Sequence, residues 1–185
     1  MIIGKPALFL DRDGVVNVNH GYVSKVNNFD FYTEIFEICI IAQNNQMPII
    51  IVTNQSGIGR GLFSEGDYQS LTKWMISEFN TRGIKITKVL YAPENPEDGG
   101  GSDVQRRKPS PAMILEAAQE FGISLDGSIM IGDSESDMIA AKNGGIGHRI
   151  LIGASIASTV ASVVVETHLR CIEVVSEIIT ECRES

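Results

Sequence analysis

Six short runs dominated by isoleucine, valine and leucine recur along the chain, at Ala7–Leu10, Ile49–Val52, Lys88–Tyr91, Ser128–Ile131, Arg149–Ile152 and Ser162–Val165. They are nearly continuous rather than alternating. A strand with one wet face alternates apolar and polar residues, whereas a strand buried on both faces does not; that pattern suits a parallel sheet covered on each side by helices. The segments between the runs carry helical spacing. Thr33–Gln46 stops before Pro48. Ser64–Arg82 opens on Ser64 and Asp67, a capping box with aspartate in place of the usual glutamate, and ends at Gly83. Ser110–Phe121 takes Ser110 as N-cap and Pro111 as first helical residue, then stops at Gly122. Ser134–Asn143 runs into the Gly144-Gly145 pair, and His168–Arg183 is the last helix. Strand and helix in alternation predict an α/β fold, a Rossmann-like doubly wound parallel sheet.

The length of 185 residues predicts a single domain spanning 1–185, with enough apolar side chain, 43% of residues, for a sizeable core. A formal net charge of −8 argues against a general nucleic-acid binder, which needs a basic face. No apolar run approaches the roughly 18 residues of a membrane-spanning helix. In MIIGKPALFLDRDG charge precedes any long apolar stretch, so no leader is read there. Cys39, Cys171 and Cys182 are odd in number and scattered, which makes a reducing cytoplasm the expected compartment. The one compositional break is the acidic, glycine-rich loop Pro93–Asp103, and Ala154–Ser162 reads as a loop or a short helix.

In an open parallel sheet ligands bind beyond the carboxyl ends of the strands, so the residues after each run belong together. After the first come Asp11-Arg12-Asp13-Gly14, with Gly14 permitting a sharp turn. After the second comes Thr53-Asn54-Gln55-Ser56-Gly57-Ile58-Gly59-Arg60-Gly61, whose N–H groups suit an anion. Beyond the third, Arg106-Arg107-Lys108-Pro109 precedes a helix whose positive end reinforces the basic cluster. After the fourth, Asp133 and Asp137 are spaced to share one helical face. Taken singly, each segment reads equally well as an acidic turn, an ordinary connection, a solvated basic run or a helix cap. All four fall at one end of the sheet, and together they hold what magnesium-assisted phosphoryl transfer requires.

That chemistry needs a nucleophile in line with the leaving group and cations on the charged oxygens. Asp11, at the rigid strand end, suits a nucleophile working through an aspartyl-phosphate. Asp13 suits an acid that protonates the leaving alcohol and then a base that activates water. Asp11, the Asp13 backbone carbonyl and Asp133 suit magnesium, an oxygen-seeking ion. Lys108 neutralises the crowded negative charge, and Thr53 and Asn54 donate to the transferring oxygens.

The segments FLDRDGVVN, IVTNQSGIGRG, RRKPSP and IGDSESD, in that order, resemble the four motifs of the haloacid dehalogenase superfamily of phosphatases, over roughly residues 7–152. Within it, DRDGVVNVNHGYV with TNQSGIGRG and RKP is similar to the branch of D-glycero-D-manno-heptose 1,7-bisphosphate phosphatases, with the histidinol-phosphate phosphatases as neighbours. The resemblance implies that Asp11 is nucleophile and Asp13 proton donor, that Thr53 and Asn54 contact phosphate, that Arg107 and Lys108 stabilise the transferring group, and that Asp133 completes a magnesium site. It also implies that Asn19, His20 and Gly21 meet the sugar and that Gln55, Ser56 and Arg60 lie near the substrate's phosphates. Asp137 is expected behind this set. His148 and His168 are read as structural, Cys39 as a buried helix residue, and Trp74 and Met75 as core.

Two departures bear on specificity. The branch carries a zinc loop of the form Tyr-Cys-Pro-His ending in Cys-x-Cys-Arg-Lys-Pro; here its ligand positions are Ala92, Glu94, Val104 and Arg106, so structural zinc is expected to be absent. Ser134 stands where the branch has lysine, and Arg106 is a candidate replacement cation for a substrate phosphate. No large cap domain is read between the motifs. The expectation is a monomeric phosphatase open to a small phosphorylated sugar, with a heptose bisphosphate as the specific substrate, histidinol phosphate or another small phosphomonoester as the alternative, and no nucleic-acid or membrane partner. A phospho-accepting signalling module is disfavoured by Asp13, and a degenerate binding protein by the intact Asp11, Asp13, Thr53, Lys108 and Asp133.

Overall fold

A computed structural model describes residues 4–97, 106–153 and 158–184. Six strands, β1 (Leu8–Leu10), β2 (Ile49–Asn54), β3 (Lys88–Ala92), β4 (Ile129–Gly132), β5 (His148–Ile152) and β6 (Val163–Val165), form one sheet in the order β3-β2-β1-β4-β5-β6. Every pairing is parallel: Phe9 lies opposite Ile50 on one side and Met130 on the other. The helices are α1 (Glu34–Asn44), α2 (Ser56–Gly59), α3 (Glu65–Thr81), α4 (Ala112–Phe121), α5 (Glu135–Gly144) and α6 (His168–Glu184).

The near-continuous hydrophobicity of the strands is explained by two cores, one on each face. Leu8, Leu10, Ile49, Ile51, Ile129 and Ile131 pack with α1, α3 and α6. The intervening Phe9, Ile50, Val52 and Met130 pack with α4 and α5. Cys39 and Met75 are buried in the first core and Trp74 packs against it. Among the described residues no helix is long and apolar enough to cross a membrane.

Local chemistry sets the helix ends. In α3 the Asp67 amide donates to Ser64 Oγ at 3.1 Å and the Ser64 amide donates to Asp67 Oδ2 at 2.9 Å, the reciprocal box expected from sequence. α4 stops at Gly122, whose φ of 63° only glycine adopts without strain. Its start differs from expectation by one residue. Pro111 is the N-cap and Ala112 the first helical residue, because the chain first closes a turn in which the Ser110 amide donates to the Arg107 carbonyl at 2.9 Å. β2 runs past its apolar stretch through Thr53 and Asn54, which pair with Tyr91 and Ala92. Glu97 is the last described residue of the acidic loop, so Val104 and most of the segment expected to be loose lie outside the described residues, as does 154–157.

β1 sits where the winding reverses, with β2 on one side and β4 on the other. Side chains just past the ends of these three strands therefore converge on one crevice. Phe9, wholly buried in the middle of β1, anchors that junction. Phe9→Ala is expected to lower unfolding free energy by about 3–5 kcal/mol in urea denaturation; a loss below about 1 kcal/mol would show the junction to be loosely packed.

Candidate active site

The crevice is built by a turn, two strand ends and a helix start. The Asp11 amide donates to the Ile131 carbonyl at 3.0 Å, so Asp11 is still held by the sheet. The chain then turns, with the Val16 amide on the Arg12 carbonyl at 2.8 Å and the Gly14 amide on the Asn17 carbonyl at 2.7 Å. Gly14 has a φ of 93°, and a Cβ there would lie 1.9 Å from Asp133 Oδ2. Both facts require glycine, and the second brings the Asp133 carboxylate against the turn that carries Asp11 and Asp13.

Lys108 is the buried cation of the site. Its Nζ lies 2.7 Å from Asp11 Oδ1, 2.6 Å from Asp137 Oδ1 and 2.7 Å from the Val52 carbonyl. Three acceptors match the three protons of an ammonium group. The two carboxylates push the Lys108 ammonium above its ordinary range despite burial. Its backbone is fixed by Asn54, which accepts from the Lys108 amide at 2.9 Å and donates to the Lys108 carbonyl at 3.1 Å. Asp137 also accepts from the Ser134 amide at 3.1 Å and from Ser134 Oγ at 2.7 Å, so it caps α5 and holds Lys108 at once.

Asp13 faces a different set of donors. Arg12 Nη2 straddles its carboxylate at 2.9 and 2.7 Å, Asn17 Nδ2 reaches Oδ1 at 3.0 Å, and Gln55 Nε2 reaches Oδ2 at 3.0 Å. Gln55 also donates to Thr53 Oγ1 at 2.9 Å.

One polar cleft of about 380 Å³ gathers these groups. Asp11, Asp13, Asn19, Gly21, Thr53, Asn54, Gln55, Ser56, Arg107, Lys108, Asp133, Ser134 and Asp137 all line it. Of the residues singled out from sequence for the site, His20, Arg60 and Arg106 do not. His20 Nε2 lies 2.8 Å from Asp30 Oδ2, and Arg60 pairs with Glu97 at 3.0 Å. Arg107 lines the cleft, and its Nη1 is buried without a hydrogen-bond partner among the described residues. Arg106 pairs with Glu116 on α4 at 2.9 Å and is not among the cleft residues, which counts against it as the replacement for a lysine at position 134. His168 is buried, with Nε2 3.1 Å from the Val15 carbonyl and its ring stacked on Tyr32 at 3.7 Å, a structural role as expected. Sequence reasoning passed over Tyr22 and Ser136, which line the cleft, and Arg12 and Asn17, which stand behind it. An arginine between two aspartates carries no signal of burial, since arginine is mostly a surface residue.

The carboxylates fit a hard divalent cation. Asp11, Asp133 and Asp137 offer oxygens all within 4.8 Å of one another. Asp137 thus joins the grouping, while the Asp13 side chain turns to Arg12, Asn17 and Gln55. Burial pushes the Asp11 carboxyl up to about 7, against the pull of Lys108 and with the push of Asp137. Burial first, then Asp137, pushes Asp133 up to about 6. More negative charge is gathered here than Lys108 alone offsets, and a cation bound by oxygen ligands relieves that imbalance.

Comparison with known proteins places these features. Residues 99–150 match the family model described as haloacid dehalogenase-like hydrolase. The chain is 42% identical over 153 residues to the D-glycero-beta-D-manno-heptose-1,7-bisphosphate 7-phosphatase of Vibrio cholerae, covering 81% of this chain and 82% of that protein. It is 44% identical over 165 residues to the D-glycero-alpha-D-manno-heptose-1,7-bisphosphate 7-phosphatase of Burkholderia mallei, covering 86% and 87%. The fold matches the crystal structure of the D,D-heptose 1,7-bisphosphate phosphatase of B. bronchiseptica complexed with magnesium and phosphate, at a TM-score of 0.78 and 24% identity, over 95% of this chain and 99% of that one.

The raised Asp11 and Asp133 carboxyls set a pH test. Their folded values lie above the ordinary 3.8, so the folded protein binds protons more tightly than the unfolded chain. Without a cation, their contribution to stability is present below about pH 4 and is lost as pH rises through about 6 to 7. A divalent cation competes with those protons for the same oxygens. Magnesium is therefore expected to raise Tm more at pH 8 than at pH 5.5, measured by scanning calorimetry; an equal or larger rise at pH 5.5 contradicts this grouping.

Proposed function

The chain belongs to the haloacid dehalogenase-like hydrolases, and from that premise we propose that it is a magnesium-dependent phosphatase that removes the 7-phosphate of D-glycero-D-manno-heptose 1,7-bisphosphate through an aspartyl-phosphate on Asp11. The observation that carries this reading is the setting of Asp11: a carboxylate at the end of a central strand, ion-paired to a buried lysine and grouped with two further carboxylates. Relatives about 40% identical over four-fifths of the chain, named for this reaction, support the substrate.

In the first half-reaction an Asp11 carboxylate oxygen attacks phosphorus. The P–O bond to the sugar breaks and Asp13 gives its proton to the departing alkoxide, leaving an acyl phosphate on Asp11. In the second, Asp13 takes a proton from water as its oxygen attacks phosphorus, and the Asp11 O–P bond breaks, which frees the Asp11 carboxylate, releases inorganic phosphate and leaves Asp13 protonated again. Lys108 favours the ionised form of Asp11 against the burial that opposes it and places positive charge behind the transferring group, whose oxygens meet the Thr53 hydroxyl and the Arg107 guanidinium. Thr53, Arg107 and Lys108 all line the cleft, which supports this part of the reading. Magnesium, which Asp11 and Asp133 would hold with Asp137 beside them, supplies positive charge to the transferring group. Asn19, Gly21, Gln55, Ser56 and Ser134 line the remaining cleft and are assigned to the sugar and its second phosphate. His20 and Arg60 are left out of this assignment, since each is engaged by a carboxylate. All of these groups come from one chain, which makes the monomer a complete catalytic unit in this reading.

The relatives do not choose the anomer, because those of nearly equal identity are named for the beta and the alpha forms. The test is phosphate release with magnesium from both heptose 1,7-bisphosphate anomers, their monophosphates and histidinol phosphate. A bisphosphate anomer is expected to give the highest kcat/KM and a 1-monophosphate product. Asp11→Asn is expected to lower turnover by roughly 10³-fold or more, the scale of losing a covalent route. Preference for histidinol phosphate would move the substrate, and undiminished turnover in Asp11→Asn would overturn the mechanism.

A further inference from the structure

Arg12 lies between the nucleophile and the acid in sequence, yet its side chain is only 1% exposed. One nitrogen, Nη2, makes all of its polar contacts: Asp13 Oδ1 and Oδ2, and the Val23 carbonyl at 2.8 Å. Nε and Nη1 have no partner among the described residues, and the guanidinium carbon lies 6.0 Å from the centre of the Phe29 ring. Burying an arginine with two donors unused is costly unless the one good contact is needed. That contact is with Asp13.

The same geometry shows what the contact does. An ionised carboxylate has about four lone-pair positions. Arg12 Nη2 has two protons; with one on the Val23 carbonyl, the other is shared between the two Asp13 oxygens, and Asn17 and Gln55 add one bond each, so the carboxyl is fixed from behind while one lone-pair position is left for the proton it delivers. Asn17 sits on the same turn and Gln55 on the neighbouring strand end, whereas Arg12 alone touches both oxygens. By tying Asp13 to Val23, Arg12 also links the acid to the segment that follows the cleft-lining Asn19, Gly21 and Tyr22.

We propose that Arg12 is a positioning residue for the reaction: its buried guanidinium holds the Asp13 carboxyl at the angle from which it delivers a proton to the leaving sugar oxygen. The proposal rests on the reading of Asp13 as general acid. Arg12 itself does not line the cleft and acts through Asp13. Within kcat/KM its effect falls on the step in which the leaving group departs, so there it depends on how much that group needs a proton.

The discriminating measurement is kcat/KM for an alkyl phosphate, the preferred sugar phosphate, against p-nitrophenyl phosphate, whose phenolate leaves without protonation. This ratio reports events through departure of the alcohol and excludes hydrolysis of the acyl phosphate. Measured on one preparation, it is also insensitive to any misfolded fraction. Arg12→Met keeps an apolar stem and loses the guanidinium. It is expected to lower kcat/KM for the alkyl ester roughly ten- to a hundredfold more than for the aryl ester, within the range that general acid catalysis supplies. Arg12→Lys, which returns a cation to the same pocket, is expected to recover part of the difference. Asp13→Asn sets the full size of the effect. If Asp13→Asn lowers both esters alike, the reading of Asp13 as acid fails and the proposal falls with it. If Asp13→Asn separates the two esters but Arg12→Met lowers them equally or leaves them unchanged, the acid stands and the positioning role is overturned.

Discussion

The ammonium group of Lys108 is the contact on which the rest of the site depends. It enters from the loop between β3 and α4 and ends among Asp11 beyond β1, the Val52 carbonyl of β2 and Asp137 of α5. Four separate pieces of chain are thereby fastened at one point, in a place almost closed to water. Each of these charges is costly to bury alone, and removing one partner of such a set typically costs about 3–5 kcal/mol because the others are left uncompensated. The geometry is accordingly over-determined: Asn54 clamps the Lys108 backbone, and Ser134 clamps Asp137. What remains is an Asp11 carboxyl that is held from behind by Lys108 and lines the cleft on its free side.

The sheet makes this convergence possible. Parallel strands all end at the same edge, and the reversal of winding at β1 leaves a crevice between β1 and β4. Small residues let the pieces close on it. At Gly14 any side chain would collide with Asp133, and at Gly132 a Cβ would lie 2.3 Å from the Cβ of Asp137. The strands supply rigidity from their apolar middles and chemistry from their polar tips. Thr53 and Asn54 show this directly, since they remain paired within β2 while facing the site.

Much of this was legible in the sequence. All six strands and five of the helices fall where aliphatic runs and cap residues place them, because burial on both faces leaves an unbroken hydrophobic signal and because Ser64, Gly122 and Gly145 punctuate helices by local chemistry. The short α2 carries no amphipathic period long enough to read. The strand ends identified most of the cleft, since a parallel sheet fixes which loops meet. What sequence does not carry is the direction of each side chain. His20 and Arg60 match motif positions, yet their side chains turn to Asp30 and Glu97. Asn54 reads as a ligand-facing amide and spends its hydrogen bonds on the Lys108 backbone. Asp137, expected behind the site, caps α5 and is also the second counter-ion of Lys108. Arg12, given no role from sequence, is buried, which only the fold of the Arg12–Asn17 turn determines.

The account stands on Asp11 as the atom that accepts the phosphoryl group. The direct measurement is chemical trapping during turnover: borohydride reduces an acyl phosphate to an alcohol, converting a phosphorylated aspartate to homoserine, which peptide mass spectrometry locates. The account predicts homoserine at position 11, formed only when substrate is present. Trapping at another position, or turnover that continues with position 11 unmodified, would contradict it.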